Sequence, residues 1–195
     1  MASSDPYVYP GTETLRNNFD IRDTARLQVV EASLTAMALA QLGAEGLPGG
    51  YDIAHLRAFH RAIFADVYPW ARQIRTVQIS RLVPFARPEN IEPYLSGRLR
   101  ELAAESYLRG LPRGQFIARL AYYLGEVNAV HPFREGNGRT QRAFFGQLAR
   151  DAGHRIRWDR LDAARNAEAS RASLSGNDSA LRALLADLVE DLRDE

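Results

Sequence analysis

Apolar residues recur every three or four positions along most of this chain, and this period constrains the fold more than any other feature. Stripes of this kind predict helices that each bury one face. Because the stripes run through most of the sequence, we expect a fold built mainly of packed helices. The six stripes are Leu27, Val30, Leu34, Met37; Ile53, Leu56, Phe59, Ile63, Phe64; Ile91, Leu95, Leu99, Leu102; Phe116, Leu120, Leu124, Val127; Phe144, Phe145, Leu148; and Leu181, Leu184, Leu185, Leu188.

Capping residues and helix breakers predict where these helices begin and end. Asp20 or Asp23 is expected to cap the first helix, and the glycines between positions 43 and 50 end it. Asp52 is expected to cap the second. The later helices are expected to begin at Glu89, Pro112 and about Arg139, with the fifth ending near Gly153 and a short additional helix after Asp159.

One segment departs from the helical period. Residues 75–80 alternate and carry β-branched side chains, which predicts a short strand, and Pro84 and Phe85 are placed to begin the return limb of a β-hairpin. No repeat or linker divides the chain. The sequence therefore predicts a mainly α fold with one hairpin, as a single domain over 1–195. Its core is expected at about 50–155, with the N-terminal segment 1–49 and the C-terminal helices 156–195 packed on it.

Composition excludes several kinds of chemistry. The 195 residues contain no cysteine, so disulfides, zinc–thiolate centres and thiol nucleophiles are ruled out. All basic residues are arginine, which excludes a phosphate-binding lysine of the Walker or kinase type. A net charge of +1 favours neither direct nucleic-acid binding nor an anionic membrane surface. With no secretory signal and no apolar stretch judged long enough to span a bilayer, we expect a cytoplasmic protein.

The stretch from His131 to Arg142 carries the chemistry. Gly136 and Gly138 permit a tight turn and close approach of a ligand where the fifth helix begins. Unpaired backbone N–H groups and the positive end of the helix dipole meet there, which makes an anion site. Asn137 between the glycines is placed to add a side-chain amide donor.

Four other side chains of the same stretch complete a reactive set. Arg139 and Arg142 are three positions apart and are both expected to reach a chain of phosphates. Glu135 suits a magnesium ion shared with phosphate oxygens. His131 is the one group there that accepts a proton near neutral pH. Each feature alone is common in structural turns, but their joint occurrence indicates transfer of a phosphorus group from a nucleotide to a hydroxyl.

The same stretch, His131-Pro-Phe-Arg-Glu-Gly-Asn-Gly-Arg-Thr-Gln-Arg142, resembles the Fic family motif H-x-F-x-[DE]-G-N-G-R-x-x-R at every fixed position. Weaker similarity extends over nearly the whole chain. It includes the N-terminal segment from Tyr9 to Asn17 and the closing helices of short Fic toxins at 159–187. Related Doc phosphotransferases carry Ala-Asn-Lys-Arg where this chain has Gly136-Asn-Gly-Arg139, so the resemblance favours AMP transfer over phosphate transfer.

The resemblance implies a Fic-type helical domain and assigns roles to the motif residues. His131 would deprotonate a Tyr, Ser or Thr hydroxyl of a target protein, which attacks the α-phosphate of ATP. Glu135 would hold Mg²⁺ or Mn²⁺. The phosphates would be bound by Gly136, Asn137 and Gly138 at the α and β positions, Arg139 at the β position and Arg142 at the γ position.

The predicted hairpin resembles the flap that lies over the Fic active-site loop. Val77, Gln78, Ile79 and Ser80 would hold a target segment as an added β-strand, which places a hydroxyl over His131 without requiring a particular sequence. An ordinary edge hairpin is the alternative reading of the same residues. The target would be a type II topoisomerase subunit if the chain is a toxin, or a host small GTPase if it is a delivered effector.

Many Fic proteins are inhibited by a helix bearing [ST]-x-x-x-E-[GN], whose glutamate pairs with the arginine that matches Arg142. The nearest match here is Glu45-Gly46, but Gln41 occupies the Ser/Thr position. A separate small antitoxin that supplies this glutamate is therefore expected. A regulatory module that binds nucleotide without turnover is an alternative that the intact motif disfavours. The remaining histidines, His55, His60 and His154, are expected to be structural or exposed.

Overall fold

The computed structural model describes residues 5–80 and 84–192, and seven α-helices make up most of this part of the chain. The ends of the predicted domain, 1–4 and 193–195, and the tip of the predicted hairpin, 81–83, lie outside the described residues. The helices are α1 (Thr24–Glu45), α2 (Ile53–Phe64), α3 (Pro88–Ala104), α4 (Arg113–Val130), α5 (Asn137–Asp151), α6 (Ala163–Ser173) and α7 (Ser179–Leu188).

The helix ends follow the capping signals closely. The side chains of Asp23 and Asp52 accept backbone N–H bonds in the first turns of α1 and α2, as predicted. Asp162 does the same for α6. The fifth helix begins at Asn137 rather than Arg139, because Gly136 takes a left-handed conformation and acts as its N-cap. This places the second half of the motif, residues 137–142, in the first two turns of α5.

Five of the six predicted apolar stripes are buried as expected, and α5 lies at the centre of the packing. It contacts α1, α2 and α4, while α6 and α7 pack on one another and on α4. Phe116, Phe144 and Phe145 are fully buried. Helix α1, which precedes these helices in the chain, therefore packs on α2 and α5, and helices α6 and α7, which follow them, pack on α4.

The first helix is the exception among the stripes. Met37 is 71% exposed, and α1 buries only Leu27, Thr35 and Leu42, so the expectation that Met37 faces the core is wrong. The expectation that no stretch is long enough to span a bilayer is also wrong by length and composition. Among the described residues α1 alone, a helix of 22 residues whose most apolar 18-residue window has a mean hydropathy of 1.2, meets those criteria. In this structure it packs against α2 and α5.

Regular strand pairing lies away from the predicted hairpin. β1 (His154–Ile156) and β2 (Val189–Asp191) form a two-stranded antiparallel sheet with Arg155 opposite Glu190. The hairpin itself, residues 77–86, which we call the flap, has no continuous strand within its described part. It is closed by an antiparallel bridge between Ser80 and Pro84 and by the Phe85 N–H, which donates to the Ile79 carbonyl at 3.2 Å. The flap therefore occupies the predicted place with less regular structure than predicted.

Candidate active site

A cavity of about 470 Å³ opens between the flap, the loop that joins α4 to α5, and α6. The loop and the start of α5 contribute most of the predicted motif: His131, Glu135, Gly136, Asn137, Gly138 and Arg142 all line the cavity. Ile79, Ser80 and Phe85 of the flap form a second wall. The sequence-predicted residues thus converge on one space, with the exceptions of Arg139, Val77 and Gln78.

His131 lies at the C-terminal end of α4 in a left-handed conformation, with φ 51° and ψ 67°. Its N–H donates to the Val127 carbonyl at 3.1 Å, and its Nδ1 is 3.3 Å from the Asn128 carbonyl oxygen. A carbonyl only accepts, so the neutral ring carries its proton on Nδ1 and its basic lone pair on Nε2. The ring also stacks on Phe85, with centroids 4.0 Å apart and planes 13° apart. Contacts on two sides therefore orient the imidazole.

Gly136 is required at the turn by both conformation and space. Its φ is +82°, and a β-carbon there would lie 2.3 Å from the ring of Phe64. Its carbonyl accepts bonds from the N–H and the hydroxyl of Thr140, at 3.0 and 2.9 Å. The turn is thereby fixed against α5, and the N-terminal end of a 15-residue helix faces the cavity. Such an end binds anions.

The side chain of Asn137 serves the loop rather than the cavity. Its Oδ1 accepts the Phe133 N–H at 2.9 Å, and its Nδ2 donates to the Phe133 carbonyl at 2.8 Å. These two bonds use the amide oxygen and one of the two Nδ2 hydrogens, so an anion contact from the second hydrogen stays a prediction. Phe133 is buried, and its ring stacks on that of His60 with the ring centroids 3.9 Å apart. Asn137 and Phe133 together hold the shape of the loop.

Glu135 offers one carboxylate at the edge of the cavity. Its side chain is 45% exposed, and its Oε1 accepts the Gly136 N–H at 2.9 Å. Within residues 5–80 and 84–192 no group of three or more His, Cys, Asp or Glu side chains forms a complete protein metal site. A single hard oxygen ligand is what a magnesium ion shared with substrate phosphates requires, since Mg²⁺ keeps its other positions for water and phosphate.

The two motif arginines face different ways. Arg142 lines the cavity, and burial lowers the pKa of its guanidinium, with the charge of Arg139 lowering it further. In the described part of the chain no carboxylate pairs with Arg142, so this cation faces the cavity uncompensated. It is placed to bind an anionic group beside the turn.

Arg139 does not line the cavity, because carboxylates of the first helix and of the loop hold it: its guanidinium lies 3.4 Å from Glu135 Oε1 as well as against Glu31. Its guanidinium forms an ion pair with Glu31, donates to the Thr35 hydroxyl at 3.2 Å and lies over the Phe64 ring at 4.7 Å. Glu31 also accepts a bond from the Tyr68 hydroxyl. The expectation that both arginines reach one phosphate chain is therefore not met in this arrangement, because a buried carboxylate from α1 captures the first. A β-phosphate contact for Arg139 stays a prediction that requires its release from Glu31.

A fully buried histidine supports the loop from beneath. The Nε2 of His60 donates to the Glu135 carbonyl at 3.0 Å, and its Nδ1 accepts the Arg72 N–H at 2.8 Å. Burial lowers the pKa of His60 to about 4, against a smaller opposing effect of the bond to the Glu135 carbonyl. His55 and His154 are also buried and hydrogen-bonded, so the expectation that these three histidines are structural is confirmed.

Sequence reasoning missed the wall that α6 contributes. The lining residues of this helix and of its C-cap follow a helical period, and most are small or polar: Ala163, Asn166, Ala167, Ser170, Arg171 and Leu174. The spacing was readable, but a face of small and polar residues resembles a solvated surface. Asn128 of α4 and Arg134 of the loop were missed as well. Arg134 is anchored at 2.9 Å by Asp5 from the N-terminal segment.

A histidine beside an anion-binding turn in a helical domain suits the binding of a nucleotide. Comparison with known proteins points to a family with this property. Residues 50–149 match the Fic/DOC family. Protein adenylyltransferase VbhT of Bartonella schoenbuchensis is 42% identical over 184 residues, which cover 94% of this chain and 38% of that protein. The "probable protein adenylyltransferase Fic" of Escherichia coli is 36% identical over 188 residues, covering 96% of this chain and 93% of that protein.

Solved structures show the same architecture. BepC, a VirB-translocated effector of Bartonella tribocorum with bound AMPPNP, has a TM-score of 0.87 and 26% identity, covering 95% of this chain and 96% of that chain. An N-terminal Fic domain from Bartonella quintana with bound ADP has a TM-score of 0.89 and 29% identity, covering 96% and 95%. This chain belongs to the Fic/DOC family. It spans well under half of VbhT and nearly all of the E. coli protein.

Proposed function

We propose that this protein transfers AMP from ATP to a Tyr, Ser or Thr hydroxyl of another protein. The observation that carries the proposal is the shared cavity, which brings together the His131 ring, the turn at Gly136 and Arg142, a cation that no carboxylate of residues 5–80 or 84–192 pairs with. Relatives named protein adenylyltransferases support the reaction, and neighbours with bound AMPPNP and ADP support the nucleotide. The intact set of motif residues favours turnover over a module that only binds nucleotide.

The geometry divides the reaction among a few groups. The Nε2 of His131 accepts the proton of the target hydroxyl, whose oxygen forms a bond to the α-phosphorus of ATP as the bond to the leaving pyrophosphate breaks. Backbone N–H groups in the first turn of α5, from Asn137 and Gly138, stabilise the charge on the α- and β-phosphates. The Gly136 N–H joins them when it leaves the Glu135 carboxylate, to which it donates at 2.9 Å. Arg142 binds the γ-phosphate and holds the leaving group in line. AMP remains on the target.

Glu135 is the residue that would hold a divalent metal, Mg²⁺ or Mn²⁺. When bound, such an ion neutralises charge on the phosphates. Its carboxylate sits one residue before the turn and is anchored by the Gly136 N–H, so it is directed towards the side of the cavity where the phosphates would lie. Replacing Glu135 with Gln is expected to raise the metal concentration needed for half-maximal activity.

The flap is proposed to dock the target by strand addition. Exposure alternates along Val77, Gln78, Ile79 and Ser80, with Gln78 and Ser80 exposed and the other two half-buried. The described part of the flap pairs only across its own bridge, so one edge is available for another chain. Pairing between the two backbones would place a hydroxyl of the target near His131 and would require no particular side chains elsewhere in the target segment.

The biological role we propose is the toxin of a toxin–antitoxin pair acting in the bacterial cytoplasm, with a type II topoisomerase subunit as target. A cleft behind the cavity supports an acidic partner, because four arginines line it with apolar side chains between them: Arg139, Arg142, Arg150 and Arg155. An antitoxin glutamate directed at Arg142 would compete with the γ-phosphate. The similarity to VirB-translocated effectors supports a second candidate, a delivered effector that modifies host small GTPases.

Labelled ATP separates these readings. The purified protein is incubated with α-labelled ATP, Mg²⁺ and bacterial lysate or purified topoisomerase subunits, beside His131→Ala. We expect a labelled protein band that falls about 1,000-fold in the variant, since a general base contributes 10²–10⁴. Label from γ-labelled ATP alone would mean phosphorylation, and nucleotide binding without any transfer would favour the regulatory module. If small GTPases in host lysate are labelled and no protein in bacterial lysate is, the result would contradict the toxin role and favour the effector role.

A further inference from the structure

Arg75 is a buried cation placed just before the flap. It is 1% exposed, and burial lowers the pKa of its guanidinium. Among the described residues no carboxylate forms an ion pair with it; its side chain donates instead to four backbone carbonyl oxygens. A buried charge is tolerated only where its donors are satisfied. The identity of the four carbonyls therefore indicates what Arg75 is for.

Two of these carbonyls belong to the end of α4. Arg75 Nε donates to the His131 carbonyl at 2.8 Å, and Nη2 donates to the Val130 carbonyl at 3.1 Å. The backbone N–H of Arg75 adds a bond to the Pro132 carbonyl at 2.9 Å. Three successive peptide carbonyls around His131 are thus held by one residue. The negative end of the α4 dipole also offsets the arginine charge.

The conformation of His131 gives these bonds a particular consequence. A left-handed backbone is uncommon for a residue other than glycine and costs about 1–2 kcal/mol, so it persists only where the surroundings hold it. Its φ of 51° and ψ of 67° fix the direction in which the imidazole leaves the backbone. By binding the carbonyls on both sides of the His131 Cα, Arg75 holds that direction.

The other two carbonyls belong to the two limbs of the flap. Nη1 donates to the Val77 carbonyl at 2.7 Å, and Nη2 donates to the Ala86 carbonyl. Ala86 follows Phe85, whose ring stacks on His131 at 4.0 Å. One guanidinium group therefore links both limbs of the flap to the backbone of His131. The flap also contacts the His131 side chain directly, through the Phe85 ring.

From these bonds we propose that Arg75 is a positioning residue that sets the distance between the docked target strand and the His131 imidazole. The inference rests on the proposed function of the flap and of His131. A lysine cannot replace the fork, because an ammonium group is a compact point charge and cannot reach carbonyls on three segments in one plane. Arg75 does not line the cavity, so its loss should leave the nucleotide site intact.

The test uses Arg75→Lys and Arg75→Ala, with Arg100→Lys as the matched control on the exposed face of α3. Three quantities are measured: kcat for AMP transfer, Kd for AMPPNP, and the ring resonances of His131 in protein labelled with ¹⁵N-histidine. The chain has four histidines, and the signal missing from His131→Ala identifies the one required. Methylguanidinium is added to Arg75→Ala to fill the space of the missing group.

We expect kcat to fall about 100-fold in Arg75→Ala and nearly as far in Arg75→Lys, since a misplacement of about 1 Å costs that much. Kd for AMPPNP should change less than threefold, and the His131 resonances should shift in both variants. Methylguanidinium should restore at least a tenth of the lost kcat, which general destabilisation does not predict. Arg100→Lys should match the wild type.

Two results overturn the proposal. One is a wild-type kcat in Arg75→Lys with unmoved His131 resonances. The other is a parallel loss of AMPPNP binding and of folded structure in both variants without rescue, because that describes a residue needed only for folding. If the wild-type protein transfers no AMP, the proposed function fails separately, and the His131 resonances still decide whether Arg75 positions the ring.

Discussion

The two walls of the cavity are built in opposite ways. The nucleotide wall, from Phe133 to the first turn of α5, is held in shape by buried groups that bind one another, such as Asn137 with both polar atoms of the Phe133 peptide. The target wall, the flap, is half-exposed, and its described residues contain one backbone bridge and no continuous strand. Under the proposed function, this difference predicts that the phosphate site is formed before nucleotide binds, whereas the docked target segment completes its own site by pairing with the flap.

The largest effect is expected where the nucleotide wall is tightest. Gly136→Ala places a β-carbon 2.3 Å from the Phe64 ring at a φ of +82°. Left-handed strain and overpacking together are expected to lower the free energy of unfolding by about 3 kcal/mol. The displaced turn should also weaken ATP binding about 100-fold. Chemical denaturation and calorimetric titration measure the two effects.

Gly138→Ala is the matched control for that variant. Its new β-carbon would meet only the mobile end of Arg142, at 3.2 Å, and its φ is not in the left-handed region. We expect a loss of ATP affinity below tenfold and little change in stability. Equal losses of ATP affinity and stability in the two variants would show that the turn does not depend specifically on Gly136. The nucleotide wall would then be less rigidly fixed than the comparison with the flap implies.

The second prediction separates the two motif arginines. Arg142→Gln removes a cation that faces the cavity, and we expect ATP binding to weaken about 30-fold, the value of one charged hydrogen bond. Arg139→Gln leaves the largely buried Glu31 without its partner and should lower the free energy of unfolding by about 2 kcal/mol with little effect on ATP affinity. If Arg139→Gln weakens ATP binding as strongly as Arg142→Gln does, Arg139 contacts the nucleotide in the complex, and nucleotide binding must then release it from Glu31.

The third prediction concerns the flap. Gln78→Pro removes a backbone N–H from the proposed docking edge, whereas Gln78→Ala removes only the side-chain bonds to the Ile79 and Phe85 carbonyls. We expect transfer to the target protein to fall about tenfold in the proline variant and much less in the alanine variant, with ATP affinity unchanged in both. Equal transfer by the two would argue against docking through the backbone.

The smallest predicted effect is a pH dependence beneath the nucleotide wall. The pKa of His60 is about 4 in the folded protein and about 6.5 in an unfolded chain. Between these values the unfolded state binds the extra proton, so stability is full above pH 6.5 and is lost as the pH falls towards 4. From pH 7.5 to 5.5 we expect His60 to contribute a loss of about 1 kcal/mol. His60→Gln should show a correspondingly smaller slope in denaturation curves, and an unchanged slope would contradict the assignment.

Local signals in the sequence predicted the helices and the motif loop because these depend on neighbouring residues. The aspartate caps of α1 and α2, the apolar stripe of α4 and the turn at Gly136 are of this kind. The direction of Arg139 was not predictable, because it depends on Glu31, which lies 108 positions earlier in the chain. The β1–β2 pairing also depends on tertiary contacts that no periodicity encodes. The α6 wall has a readable helical spacing, but its small and polar side chains are equally typical of a solvated face.

The α6 wall has a consequence for how such proteins diversify. Helix α6 spans 163–173 and lies beyond the 50–149 segment that matches the family. The reactive histidine and the phosphate turn lie within that segment. One wall of the cavity is therefore encoded outside the stretch that carries the reactive histidine and the phosphate turn. Exchange of the closing helices would reshape that wall while every residue of the motif stays the same.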